Sequence, residues 1–233
     1  MTIHTIDDTF VENIKATKEA MMLGCEPFTE EQERALLDYF SKRRYAERNI
    51  AILTFGIQTG FRVSEILALR RRDIEQNGKI VDRVYMRKYN MKGGQKENNR
   101  GVHGRAMLLA PKTKRVLRTL LGYLDKRGFT EPDSFLFQTQ RDGNRALDGH
   151  GFWRILYDAK HDLDLTGKIG THSMRKTFAA RIYANLLDKG NADALRILQA
   201  GLGHENINNT IKYLSFNEGE LIEAIHDVFG GEE

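Results

Sequence analysis

Thr171-His172-Ser173-Met174-Arg175, then Leu202-Gly203-His204, then Thr210-Ile211-Lys212-Tyr213-Leu214: the reading of this last third of the chain decides the fold. His172 and Arg175 stand three apart, a spacing that sets two side chains on one face of a helix. His204 follows a Gly-Leu-Gly turn and precedes a short polar connection, and Tyr213 lies beyond it between apolar neighbours. Far upstream, Gly60-Phe61-Arg62-Val63-Ser64-Glu65 adds a second arginine after a glycine break. Two arginines, two histidines, a tyrosine and a candidate lysine form a set suited to binding one phosphate and attacking it with a phenol.

Working outward, the residues around these motifs read as helices. Phe28-Thr29-Glu30-Glu31-Gln32 is a helix start in which Thr29 caps and Gln32 reaches back, and acidic residues suit the positive helix end. Leu36, Leu37 and Phe40 give this helix an apolar face. A second helix is expected over 46–58, ended by Thr59-Gly60, and a third over 63–69 with Val63, Ile66 and Leu67 inward. Residues 79–89 are β-branched and aromatic and predict a strand. A polar loop over 90–104 and a returning strand over 105–110 complete a hairpin with a long tip. Pro111 opens a helix to about Arg127, with Lys112, Lys114, Arg115 and Arg118 on its outer side. A short extended piece is expected over 134–138 and helices over 151–161, 171–188, 192–200, 207–214 and 218–229. The fold class is mainly α with a small antiparallel β-sheet or hairpin.

The totals narrow the function. One cysteine, Cys25, excludes a disulfide framework and a multi-cysteine zinc site. No apolar run approaches the ~20 residues of a membrane span, and Asp7 and Asp8 stand where a signal peptide would be basic, so a cytoplasmic protein is expected. The net charge of +4 is unevenly spread. Residues 1–33 hold eight acidic and two basic side chains, residues 216–233 hold six acidic and none basic, and the stretch between carries +16. A basic body between acidic ends suits a polyanion such as double-stranded DNA. The seven histidines show no His-x-x-x-His pair, so no metal site is expected.

Arginine suits phosphate because its planar guanidinium donates two parallel hydrogen bonds. Arg62, at a helix start, lies beside backbone N–H groups that also favour anions. Histidine moves protons near neutral pH. A tyrosine has a free pKa of about 10 and needs surrounding positive charge to react as a phenolate. Taken singly, each of these side chains is most simply a solvated or satisfied group. Their order along the chain is what separates them from that reading.

Gly60-Phe61-Arg62-Val63-Ser64-Glu65-Ile66-Leu67, His172-Ser173-Met174-Arg175, Leu202-Gly203-His204 and Tyr213, in this order, resemble the signature boxes of the tyrosine recombinases, the lambda-integrase family. The resemblance covers about residues 28–216 and implies that family's catalytic-domain fold. It implies that Arg62 and Arg175 clamp the scissile phosphate, that Tyr213 attacks phosphorus to leave a 3′-phosphotyrosyl bond, and that His172 acts as general base. His204 would hydrogen-bond the phosphate, and Glu65 would brace Arg62. The family's hairpin lysine, which protonates the leaving 5′-oxygen, is expected at Lys92, before Gly93-Gly94, with Lys96 as the alternative in a longer loop than usual. No metal, nucleotide or other cofactor is implied.

Residues 1–27 are expected to be a tail with a helical segment over 7–23, residues 28–216 the catalytic domain, and residues 217–233 an acidic helix with an apolar stripe of Leu221, Ile222, Ile225 and Val228. So short a stretch before the catalytic part resembles the invertases that switch fimbrial genes. The resemblance further implies a homo-oligomer, a tetramer on two DNA sites joined through the C-terminal helix, and an accessory DNA-binding protein. That helix equally suits packing on its own domain. Two other functions share the residues: a type IB topoisomerase-like nicking-closing enzyme and a non-catalytic DNA-binding protein. Retention of the full set Arg62, His172, Arg175, His204 and Tyr213 disfavours the last.

Overall fold

The computed structural model describes residues 24–86, 104–140, 143–211 and 213–214. Helix α1 is Glu30–Ser41, and its Thr29 cap accepts from the Gln32 backbone while Gln32 accepts from Thr29 N, the expected reciprocal box. Leu36 and Phe40 are buried and Leu37 is partly so. Glu33 does more than complement the helix dipole: its carboxylate receives Lys112 at 3.2 Å and Arg181 at 2.6 Å, tying three helices together.

Helix α2, Ala46–Thr59, is the central rod. Arg48, Asn49, Ile52, Leu53, Phe55 and Ile57 are buried around its circumference, as expected of a helix enclosed on every side. It packs on α1, on α5 (Pro111–Lys126) and on α7 (Thr171–Asp188). Gly60, in the left-handed conformation at φ 63°, ends α2 by donating its N–H to the Gly56 carbonyl. The chain then re-enters a helix at once: α3 is Val63–Leu67, two residues shorter than expected at its C-terminus.

The residues beyond, Arg70-Arg71-Arg72, form part of structure rather than a solvated run. Helix α4 is Arg71–Ile74, and Arg71 pairs with Glu75 and Asp125. The strand expected over 79–89 is two separate pieces. β1 (Glu75–Gln76) turns at Asn77-Gly78, both at positive φ, to pair with β2 (Lys79–Ile80). After Val81 and Asp82, β3 (Arg83–Met86) pairs antiparallel with β4 (Arg105–Leu108), Met86 opposite Arg105. Asn-Gly is a turn signal stronger than the β-branched run that follows it. The hairpin tip, 87–103, lies outside the described residues, as do the segment expected to be helical over 7–23 and the C-terminal helix expected over 218–229.

The extended piece at 134–138 makes two isolated bridges, Arg70 to Phe135 and Gln138 to Ala146. Helix α6 is Gly149–Asp162, capped by Asp148. Helix α8 is Ala194–Leu202: Gly201 and Leu202 belong to the helix, and the expected Gly-Leu-Gly turn reduces to Gly203, left-handed at φ 66°. Helix α9 is Ile207–Ile211, with Tyr213 and Leu214 in a turn after it. The main core gathers Leu36, Phe40, Ile52, Phe55, Leu120, Phe152 and Met174 around α2. A smaller cluster of Phe178, Ala179, Leu198 and Leu202 joins α7 to α8, and Tyr213 packs against it. The described residues are mainly helical with two small antiparallel sheets.

Candidate active site

The two glycines of α2's end allow α7 to come close. A Cβ on Gly56 would lie 2.6 Å from Met174 Sδ, and one on Gly60 would overlap the Phe178 ring. That close approach brings Arg175 under the Gly60 turn. Its Nη1 donates to the Gly60 carbonyl at 2.5 Å and its Nη2 to the Leu202 carbonyl at 2.7 Å. Arg175 is 1% exposed, so its charge is held by helix-end carbonyls, whose partial negative charge suits a cation.

His204 follows the Gly203 cap. Its Nε2 lies 2.8 Å from Arg175 Nη2 and its Nδ1 3.0 Å from Thr210 Oγ1. A guanidinium only donates, so Nε2 accepts and the ring proton sits on Nδ1, directed at Thr210. Burial, with Arg175, Arg62 and Arg105 adding repulsion, pushes the His204 pKa down to about 3. The imidazole is therefore neutral at physiological pH.

Arg62 is half-buried at the N-terminus of α3. Its backbone N–H and its Nη1 each donate to Glu65, both at 2.8 Å. Glu65 is fully buried. Burial pushes its carboxyl up, but Arg105 and Arg62 outweigh burial and hold it below the usual carboxylate range. Tyr213 is half-buried, its ring centroid 5.1 Å from that of His204 and 5.5 Å from the guanidinium carbon of Arg175.

Of the side chains singled out in the sequence, Arg62, Glu65, Arg175, His204 and Tyr213 lie in one connected cluster. His172 is in the first turn of α7 and is exposed, where Arg175 is buried. Lys92 and its alternative Lys96 lie outside the described residues. One member was missed. Arg105, at the start of β4, donates Nη2 to Glu65 at 2.7 Å and Nη1 to the carbonyls of Leu202 at 2.7 Å and Gly201 at 3.0 Å. Nothing in the local sequence marks it, since its partners are about forty and a hundred positions away. Burial lowers the pKa of Arg175 to about 10 and lowers that of Arg105, yet both stay charged at neutral pH. Three guanidinium groups thus face one carboxylate and a neutral imidazole, a surplus of positive charge that an oxyanion would neutralise. Among the described residues no group of His, Cys, Asp and Glu is arranged to hold a metal ion, and no helix is long and apolar enough to cross a membrane.

Comparison with known proteins sets this site in a wider group. The chain is 26% identical over 212 residues to tyrosine recombinase XerA of Pyrococcus furiosus, spanning 88% of this chain and 64% of that protein. It is 31% identical over 183 residues to tyrosine recombinase XerC of Pelobacter propionicus, spanning 78% of this chain and 52% of the relative. The chain therefore covers roughly half to two-thirds of these relatives' length. Among solved structures, a XerA recombinase superposes with a TM-score of 0.64 at 20% identity, over 90% of this chain and 67% of that one. A XerH site-specific recombinase bound to a palindromic difH substrate superposes at 0.63 and 22% identity, over 86% of this chain and 52% of that one. The catalytic domain of bacteriophage HP1 integrase superposes at 0.51 and 17% identity, over 88% of this chain and 95% of that domain. The fold is shared with all three. The family model described as the phage integrase family matches residues 26–220, and the chain belongs to that family.

Proposed function

We propose that this protein is a site-specific DNA recombinase that cuts and rejoins strands through a 3′-phosphotyrosyl intermediate, and that residues 28–216 are its catalytic domain. One observation carries the reading: a half-buried tyrosine ring rests on a histidine and a buried arginine, within a cluster where three guanidinium groups outnumber one carboxylate. Likeness to tyrosine recombinases, one of them solved on its DNA substrate, supports it.

In this reading Arg62 and Arg175 take the non-bridging oxygens of the scissile phosphate and stabilise the charge that grows there. Both keep N–H donors not spent on Glu65 or on carbonyls. The Tyr213 hydroxyl attacks phosphorus, and its proton passes to His172. The P–O5′ bond breaks, and Lys92 delivers a proton to the leaving 5′-oxygen. A 5′-hydroxyl then attacks the phosphotyrosine and restores a phosphodiester and the phenol. One phosphate ester is exchanged for another at each step, so no outside energy source is needed. His204 donates to the phosphate once the anion draws Arg175 away from Nε2: the neutral ring changes tautomer, its one proton moving from Nδ1 to Nε2 by exchange with solvent, and Nδ1 then accepts from the Thr210 hydroxyl. Double-stranded DNA in the cytoplasm is the substrate, four copies assemble on two sites through the segment 217–233, and an accessory DNA-binding protein adds grip.

The test uses nicked duplexes cut from the DNA that flanks the gene, centred on short inverted repeats. The intact chain should form a covalent DNA adduct and Tyr213→Phe none. An adduct persisting in Tyr213→Phe would move the nucleophile elsewhere, and no adduct with the intact chain on any flanking repeat would overturn the reading. Joining of two sites, as against relaxation of a plasmid alone, separates a recombinase from a nicking-closing enzyme.

A further inference from the structure

Arg105 is 9% exposed, and its guanidinium ties two separate places of the chain. Glu65 and the Phe61 ring come from the segment that carries Arg62, with the guanidinium carbon 4.4 Å from the ring centroid. The Gly201 and Leu202 carbonyls come from the end of α8, one and two residues before the Gly203 cap that launches His204. The Leu202 carbonyl is also an acceptor for Arg175. Arg105 therefore touches the support of Arg62 with one nitrogen and the support of Arg175 and His204 with the other. A buried arginine whose one carboxylate is shared with a second arginine is not explained by stability, because charge burial of this kind is at best break-even. Among the described residues, the Nε atoms of Arg105 and Arg175 are both buried without a partner, which adds to that cost.

We propose that Arg105 is the positioning residue of the oxyanion site: it holds Glu65, and so Arg62, in fixed register with the end of α8, and so with Arg175 and His204. The inference rests on the reading of the cluster as a phosphate site. The fork of the guanidinium is essential to it, since two nitrogens must bond in two directions at once. A lysine in its place keeps the charge but has a single nitrogen, and cannot span Glu65 and both carbonyls. With Arg105 gone, Glu65 has only Arg62 to satisfy it and closes on that side chain, taking up donors that an oxyanion would use.

Sulfate is a suitable probe, being tetrahedral and fully ionised at neutral pH. Equilibrium dialysis with radiolabelled sulfate at low chloride compares the intact chain with Arg105→Met, Arg105→Lys and Arg62→Ala, with thermal melts run beside each. The site's share is the sulfate bound by the intact chain and lost in Arg62→Ala. Arg105→Met should weaken that share at least tenfold, and Arg105→Lys, with unchanged net charge, at least threefold. Arg71→Lys, at an arginine outside the cluster that is held by two carboxylates, controls for loss of packing: it should lower the melting temperature without moving sulfate affinity. Full affinity in Arg105→Lys overturns the proposal, since charge alone then suffices, and this arm decides even where the methionine variant does not fold. Equal loss in Arg71→Lys also overturns it, since the effect is then general. Absence of any Arg62-dependent sulfate in the intact chain removes the phosphate site itself, a failure visible before any Arg105 variant is read.

Discussion

His204 holds its proton on Nδ1 because Arg175 occupies Nε2, and this has a consequence for stability. The folded pKa lies near 3 and the unfolded value near 6.5. A histidine depressed in this way contributes stability in full above the unfolded value, and that stability is lost as pH falls toward the folded one. At pH 7.5 both states carry neutral imidazole. At pH 5.5 the unfolded chain takes up a proton that the folded site refuses, a difference of about 1.4 kcal/mol for one pH unit below 6.5. Denaturant unfolding at the two pH values should therefore show the intact chain losing about 1.4 kcal/mol more than His204→Gln. Equal losses would mean that the ring is not held neutral by the arginines around it. The side chains of this site differ in how legible they were. Arg62, Arg175 and His204 could be read because each sits in a short local motif beside a glycine or near a helix start, and Tyr213 because it follows His204 by nine positions in the order of the boxes. Arg105 could not, because what buries it is the end of a helix almost a hundred residues away. The exposure of His172 was hidden for a related reason: three-residue spacing puts two side chains side by side, but the edge of the packed interface falls between them.

At the scale of the element, the site depends on how tightly α7 lies on α2. Gly56 and Gly60 are where the two helices touch, and they differ in kind. A methyl on Gly56 meets Met174, whose Sδ can shift but whose Cβ, at 3.0 Å, cannot move without the helix. A methyl on Gly60 overlaps the Phe178 ring from backbone held at φ 63°, where any L side chain is strained. Gly56→Ala should therefore cost about 1–3 kcal/mol as overpacking. Gly60→Ala should cost more, because about 1 kcal/mol or more of backbone strain is added to the overlap. It should also reduce adduct formation beyond its effect on stability, since the Gly60 carbonyl anchors Arg175. Chemical denaturation and nicked-duplex cleavage, run on both variants, check the order. A Gly60→Ala chain as stable and active as Gly56→Ala would mean that the contact with Phe178 relaxes freely. The break at Gly60 was plain from the sequence; its contact with Phe178, 118 positions on, was not. The hairpins show the same division. The Asn77-Gly78 turn was written locally, yet the run of β-branched residues that follows it concealed that the chain pairs first backward and only then with Arg105–Leu108.

At the scale of the whole molecule, charge is partitioned rather than merely positive. The chain's +4 results from a strongly basic middle and acidic ends, with residues 216–233 contributing six acidic side chains and no basic one. A field of that form should hold down attraction to DNA at large, because the pull of the basic body on each phosphate is opposed by repulsion from the ends over distances of about 10 Å at ordinary salt. Replacing Glu218, Glu220, Glu223, Asp227, Glu232 and Glu233 with their amides raises the net charge from +4 to +10 without touching any residue of the site. Binding to a random-sequence duplex at 50 mM salt should then tighten by about tenfold, with a steeper dependence on salt, since more counterions are displaced. Near 300 mM the advantage should all but vanish, as screening shortens the reach of the acidic segment. Fluorescence anisotropy across that salt range reads both effects. An amide variant that binds no tighter at low salt would place the acidic segment out of range of the DNA-binding face, and the restraint would have to come from elsewhere in the chain.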